Sequence, residues 1–315
     1  MVDSKEKNFV SAVLYVHNNE DQIIAFLTML HRVLDSNFEK FEIICVNDFS
    51  TDCSVGKIRS FSKGKSSSMI SIVNMSLYQG LELSMNAGVD LSIGDFMFEF
   101  DTLFIDYEEN IIMDVYLQSL KGFDIVSAAP GKMKKVSSRL FYHLYNRHSG
   151  SAYKLRSETF RVLSRRAINR VHSISKTIPY RKALYANCGL KIDTLLYKSK
   201  SGVNVAYNSK QEGDNRRDMA IDTFILFTDV AYKIALTLSV ILLLFTVGSA
   251  IYTCVMFFGQ HQPVAGWTTT MLLLSGGFFG VFLLLAIVIK YLSVLVDLVF
   301  KRHKYLIESI EKITR

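Results

Sequence analysis

The chain has 315 residues, half of them hydrophobic, and carries 36 Lys or Arg against 29 Asp or Glu, for a formal charge of +7. That length allows one large domain or two small ones, and a mean hydropathy of +0.22 is higher than a wholly soluble enzyme usually reaches. The cysteines Cys45, Cys53, Cys188 and Cys254 form no CxxC pair and match no zinc spacing, which argues against a thiolate metal centre and suits a reducing compartment.

The opening MVDSKEKNFV has no apolar h-region, so no cleaved leader is expected. Val10 to Val16 (VSAVLYV) is a β-rich apolar run, followed by the polar turn HNNED and then by IIAFLTMLHRVL with apolar residues at helical spacing. This strand, loop, helix unit recurs. FEIICVND leads through a STD turn to a helix from about Cys53, SIVNM to a helix from about Gln79, and FMFEFD to a helix from about Glu108. Phe123 to Ala128 (FDIVSA) reads as a fifth strand. Strands alternating with single helices imply right-handed crossovers and a mainly parallel α/β sheet with helices on both faces. In such sheets the ligand crevice lies at the carboxyl ends of the strands. Asp48 closes the second strand, and Glu99 and Asp101 close the fourth, where a buried apolar strand would not ordinarily hold acids. Ser50, Thr51 and Asp52 read instead as helix-capping residues.

From Gly131 to Lys182 the chain carries fourteen Lys or Arg and one acid, Glu158, so this segment is expected to face something anionic. Residues 211–233 read as a juxtamembrane amphipathic segment. Ile234 to Phe258 and Trp267 to Ile289 contain no charged residue, and each exceeds the roughly 20 residues that cross a bilayer core. Two transmembrane helices are expected over 234–289, with a cytoplasmic amphipathic helix over 290–315. The connection GQHQPVAG has no Lys or Arg, whereas Lys233, Lys290, Lys301 and Arg302 flank the other side, so both termini and the domain 1–210 are expected in the cytoplasm, at an inner membrane.

Four stretches, in order, resemble the family-2 glycosyltransferases of the GT-A (Rossmann-like) fold, and within them the polyisoprenyl-phosphate glycosyltransferases: LYVHNNED, VNDFSTD (the family's VDDGSTD), LYQGLELSMNAGVDLSIGDFMFEFD and FRVLSRRA (its FRLMSRR). The resemblance covers essentially the whole chain. It implies an inverting transferase that moves a sugar from a nucleoside diphosphate sugar, a UDP-sugar being the expected donor, to polyprenyl (undecaprenyl) phosphate. It also implies roles. Asn18, Glu20 and Asp48 would bind the nucleotide; Glu99 and Asp101, at the family's Asp-x-Asp, would hold Mg2+ or Mn2+; Asp101, Arg161 and Arg165 would act in catalysis near the phosphates. Lys134, Lys135, Ser138 and Arg139 would hold the lipid phosphate. Position 99 is Glu where the family has Asp.

A divalent cation would neutralise the departing diphosphate as a Lewis acid, and an acceptor phosphate, already anionic, would need no strong base. Two other readings stay open on the residues. One is transfer to a hydroxyl of a lipid-linked saccharide, for which Asp106, Glu108 or Glu158 would be the base; the other is a membrane-bound binding or assembly subunit. The expected partners are a nucleotide-sugar donor, polyprenyl phosphate and the bilayer, with homo-oligomerisation left open and no nucleic acid.

Overall fold

The computed structural model describes residues 5–63, 69–131, 142–143, 145–147, 153–174 and 180–200, scattered positions from 237 to 251, and residues 266–300 and 305–313. The chain divides into two compact units, Met1–Ala220 with Arg302–Arg315, and Ile221–Lys301.

In the first unit β1 (Val10–Val16), β2 (Phe41–Asn47), β3 (Met69–Met75), β4 (Phe96–Phe100) and β5 (Ile125–Pro130) occupy the five expected strand segments. All seven residues of β1 are buried, which is why the strand reads as a continuous apolar run rather than an alternating one. Helices α1 (Ile23–Asn37), α2 (Ser54–Lys63), α3 (Leu81–Leu91) and α4 (Asn110–Leu120) make the crossovers. Further on come β6 (Phe160–Ser164), α5 (Arg165–Ile174), α6 (Arg181–Asn187) and β7 (Ile192–Tyr197). The eight-stranded sheet has the order β7-β5-β6-β4-β1-β2-β3-β8, with β8 formed by Ile307–Ile313. β6 runs antiparallel to β4 and β5, and β8 antiparallel to β3; the other pairings are parallel.

Two apolar layers cover the sheet. On one face Phe26, Leu30 and Leu34 of α1 and Ile112, Val115 and Tyr116 of α4 pack on Val10, Ala12, Leu14 and Phe98. On the other, Met85 and Val89 of α3, Ala167 and Ile168 of α5 and Tyr185 of α6 pack on Val13, Val46, Met97 and Leu163. The second layer depends on a close approach. A Cβ at Gly88 would lie 2.4 Å from Val13 Cγ1 and 2.7 Å from Val46 Cγ2, so only glycine lets α3 sit this close to β1 and β2.

The C-terminal residues depart from expectation. One helix, α7, runs unbroken from Trp267 to Phe300, and Ile307–Ile313 form an edge strand rather than the end of an amphipathic helix. Leu306, Ile307, Ile310 and Ile313 fit a helical stripe on paper, but the otherwise open edge of β3 offers this segment a full ladder of backbone hydrogen bonds. Arg59 adds a paired contact to Glu311, with its Nε at 2.8 Å and its Nη2 at 2.7 Å from the carboxylate. Among the described residues no helix is long and apolar enough to cross a membrane.

Candidate active site

The carboxyl ends of β1, β2 and β4 converge, as a parallel sheet requires, and bring most of the expected residues together. The loops after β1 and β2 are clasped to each other. Asn18 donates its backbone N–H to Ser50 Oγ and its side-chain oxygen accepts the N–H of Thr51; Glu20 donates its N–H to Asp52 and accepts the N–H of Cys53. Asn18 and Glu20 therefore organise the crevice rim. Asp52 accepts the N–H of Ser54 at the start of α2, as its capping role requires.

Asp48 is fully buried. Its Oδ1 accepts the N–H of Gln79 (2.8 Å), and its Oδ2 accepts the N–H of Gly80 (2.8 Å) and the hydroxyl of Tyr15 (2.9 Å). Three donors of the chain itself use the carboxylate, which fixes the loop that opens α3. The next residue, Phe49, lies in the left-handed region at φ +55°, where the family motif has glycine, and is 49% exposed. Beside it His17 and Tyr78 pack with ring centroids 4.7 Å apart.

At the end of β4 lies a buried ionic cluster. Antiparallel register sets Glu99 directly opposite Arg161. Arg161 donates to Glu99 Oε2 (2.6 Å), to Asp101 Oδ2 (2.8 Å) and to Glu158 Oε2 (3.3 Å). Arg181, at the start of α6, donates to Asp101 Oδ1 (2.7 Å) and to Glu82 Oε2 (2.8 Å), and its Nη1 lies 2.9 Å from Glu99 Oε2. Tyr185 donates its hydroxyl to Glu99 Oε1 (2.6 Å). Lys182 Nζ stands 3.8 Å from Asp101 Oδ2. Burial by itself would push the Asp101 carboxyl up, but Arg161, Arg181 and Lys182 outweigh it and hold the group well below the usual carboxylate range. Burial likewise opposes charge on Arg161 and Arg181, and the carboxylates around them reverse this and hold both firmly protonated. Burial and Glu99 together raise the Tyr185 hydroxyl well above its ordinary value, so it remains a donor.

Magnesium and manganese need oxygen ligands free to face them. Here every oxygen of Glu99 and Asp101 already faces a side-chain donor of the chain. Among the described residues no group of three or more His, Cys, Asp or Glu is arranged to hold a metal ion. The acids stand where expected, but as arranged they do not fit the Mg2+ or Mn2+ expected of them. The sequence displays the carboxylates and conceals their counterions, which come from β6 and α6.

Arg165 is also corrected. It follows β6 at the amino-terminal end of β4, where it donates to the carbonyls of Gly94 (2.9 Å) and Ser92 (3.0 Å). With β4 between them, Arg165 and Asp101 stand about 15–20 Å apart. Its role is to pin the loop before β4. The basic stretch is therefore partly internal: Arg161 and Arg181 are buried counterions, and Arg166 pairs with Asp124 at 2.6 Å. Lys134, Lys135, Ser138 and Arg139 lie outside the described residues. Of the acids named as possible bases, Asp106 accepts the hydroxyl of Tyr197 (2.7 Å), Glu158 pairs with Arg161, and Glu108 is exposed. Glu82, Arg181 and Tyr185 were not singled out in the sequence; Glu82 was a visible signal, an acid in the first turn of a helix lying on the sheet.

The Glycosyl transferase family 2 model matches residues 11–102, the span from β1 through Asp101. An uncharacterized glycosyltransferase of Synechocystis is 26% identical over 194 residues, 60% of either chain. The prophage bactoprenol glucosyl transferase homolog of Escherichia coli is 23% identical over 315 residues, 96% of this chain and 99% of that one. A mannosyltransferase of Pyrobaculum calidifontis, solved with GDP-Man and Mn2+, superposes with a TM-score of 0.53 at 13% identity, covering 95% of this chain and 89% of that one, which supports the fold. Taken with the strand-end acids and the clasped crevice loops, these matches show a family-2 glycosyltransferase domain over residues 11–102, in a chain similar over nearly its whole length to a bactoprenol glucosyl transferase homolog.

Proposed function

We propose that this glycosyltransferase moves a sugar from a nucleoside diphosphate sugar, with UDP as the nucleotide, to polyprenyl phosphate at the cytoplasmic face of the inner membrane, with inversion at the sugar carbon. The observation that carries the reading is the strand-end crevice, in which Asp106 and Glu158, two of the three acids that could serve a hydroxyl acceptor as base, are already engaged, leaving only the exposed Glu108. A phosphate monoester acceptor, whose second ionisation lies near a pKa of about 6, arrives as a nucleophile and needs no such base. The relative of matching length in Escherichia coli is named for bactoprenol glucosyl transfer, which supports the acceptor class.

Membrane attachment is supported by the two uncharged runs and by α7. Leu274, Phe278, Val281, Leu285, Val288, Ile289, Leu292 and Leu295 are exposed along it, and such an apolar surface is out of place in water. Gly280 is buried, and a Cβ there would lie 2.6 Å from the Leu242 methyls, the small-residue contact by which apolar helices pack in lipid.

Membranes from cells expressing the chain, incubated with a panel of radiolabelled nucleotide sugars and undecaprenyl phosphate, should transfer label from one donor into the organic phase as an acid-labile lipid. Label appearing only on a pre-formed lipid-linked saccharide would overturn the acceptor, and transfer only from a GDP-sugar would overturn the nucleotide.

A further inference from the structure

The Glu99–Asp101 pair is the place where a divalent cation would be expected, and it is filled from within. Glu99 Oε1 accepts from Tyr185, Glu99 Oε2 from Arg161, Asp101 Oδ1 from Arg181 and Asp101 Oδ2 from Arg161. Neither guanidinium is a mobile surface group. Arg161 is fully buried and set opposite Glu99 by strand register. Arg181 is 1% exposed, and its backbone N–H as well as its Nε is held by Glu82. Expelling either one would leave a buried charge unpaired, which is strongly destabilising. A cation would have to offset that in addition to its own dehydration.

We infer that Glu99, Asp101, Arg161 and Arg181 form a permanent carboxylate–guanidinium lattice in place of a divalent-cation site, and that the diphosphate leaving group is met by protein cations, with Lys182 foremost. The inference rests on the transfer reading above. In the reaction the bond from the sugar C1 to the diphosphate oxygen breaks with its electron pair staying on the diphosphate, while a lone pair of the acceptor phosphate forms the new bond to C1. No proton moves, and the departing diphosphate gains one negative charge. Lys182 is the least buried of the three cations, with a side chain 13% exposed. It is also the most loosely held, since its Nζ reaches the Glu158 carbonyl at 3.5 Å and Asp101 at 3.8 Å. An ammonium so placed can turn toward a phosphate oxygen, while the two arginines hold Asp101 ionised beneath it. The wider cluster sets four carboxylates, with Glu82 and Glu158, against these three cations. That surplus acid makes a direct metal measurement necessary.

The test is a titration of the purified full-length protein in detergent with Mn2+, read by the paramagnetic resonance signal of free Mn2+, without substrate and again with UDP. The expected result is no stoichiometric site in either arm, and turnover with the identified donor that changes by less than about twofold in EDTA, where losing a Lewis acid would cost orders of magnitude. A stoichiometric Mn2+ site that disappears in Asp101→Asn, or turnover abolished by EDTA and restored by Mn2+, would overturn the inference. Arg181→Met should create Mn2+ binding by freeing Asp101 Oδ1 and Glu82, and a folded Arg181→Met protein that binds none would also count against it. Should Arg181→Met fail to fold, the wild-type titration still decides. Because Mn2+ binding is read without transfer, a mistaken donor or acceptor would leave that result standing, and the failure of all donors would sink the transfer reading alone.

Discussion

The side chain of Gln79 and the backbone of Leu306 hold each other reciprocally: Gln79 Nε2 donates to the Leu306 carbonyl at 2.7 Å, and the Leu306 N–H donates to Gln79 Oε1 at 2.8 Å. The backbone N–H of the same Gln79 is held by Asp48. The loop that opens α3 at the crevice is thus fastened on one side to β2 and on the other to the residues that return after the apolar unit and enter β8.

From this linkage Gln79→Ala should loosen the crevice loop while leaving the sheet intact. Two hydrogen bonds of about 0.5–1.5 kcal/mol each are lost, which sets the scale at roughly a 5- to 150-fold rise in donor KM. Steady-state kinetics with varied donor would check it, and kcat at saturating donor should fall much less than kcat/KM.

Phe49 holds a left-handed backbone conformation that costs a non-glycine residue about 1–3 kcal/mol. Phe49→Gly should relieve this strain and leave the melting temperature unchanged or slightly raised, because glycine's extra unfolded-state entropy offsets part of the gain. If the exposed ring lines the donor crevice, the same substitution should weaken UDP binding severalfold. Calorimetric titration of UDP alongside thermal melting reads both effects.

Asp101→Asn removes the carboxylate that Arg161, Arg181 and Lys182 all face. The expected loss is about 3–5 kcal/mol of stability, seen as a fall of roughly 6–20 °C in the melting temperature of the first unit. The pH dependence follows from the same pairing. The Asp101 carboxyl is depressed in the fold, so its contribution is fully present above the unfolded carboxylate value of about 3.9 and is lost as pH falls through the folded value. Wild type should therefore hold this part of its stability down to about pH 4, and the difference between wild type and Asp101→Asn should shrink only below that. Melting curves collected from neutral pH downward would show it.

Topology is tested with thiols. With Cys254 removed, a cysteine introduced at Gln260 should react in intact cells with an impermeant reagent, whereas Cys53, exposed on the first unit, should react only after lysis. The reverse pattern would put the crevice outside the cell, away from nucleotide sugars.

The strands and helices up to Pro130 were legible in the sequence because their signals are local. Near-continuous apolar runs such as VSAVLYV, the 3.6-residue spacing of IIAFLTMLHRVL and the Asx-rich turns between them are decided within a few residues. The same locality exposed the strand-end acids, since a carboxylate at residue 99 or 101 violates the apolar pattern of its own strand. It also made the family motifs readable.

The counterions of those acids were decided only in three dimensions. Arg161 lies 62 and 60 residues from Glu99 and Asp101, and Arg181 lies 80 from Asp101, and nothing local distinguishes them from the other basic residues of their segment. Antiparallel register brings the first opposite Glu99, and the packing of α6 on the sheet brings the second to Asp101 and Glu82. Arg165, four residues beyond Arg161 in the same motif, is carried by the same strand to the sheet's other end. The final strand was likewise ambiguous, because Ile307, Ile310 and Ile313 satisfy a helix as well as an edge strand. Only the unpaired edge of β3, whose N–H and C=O groups need partners, chose between them.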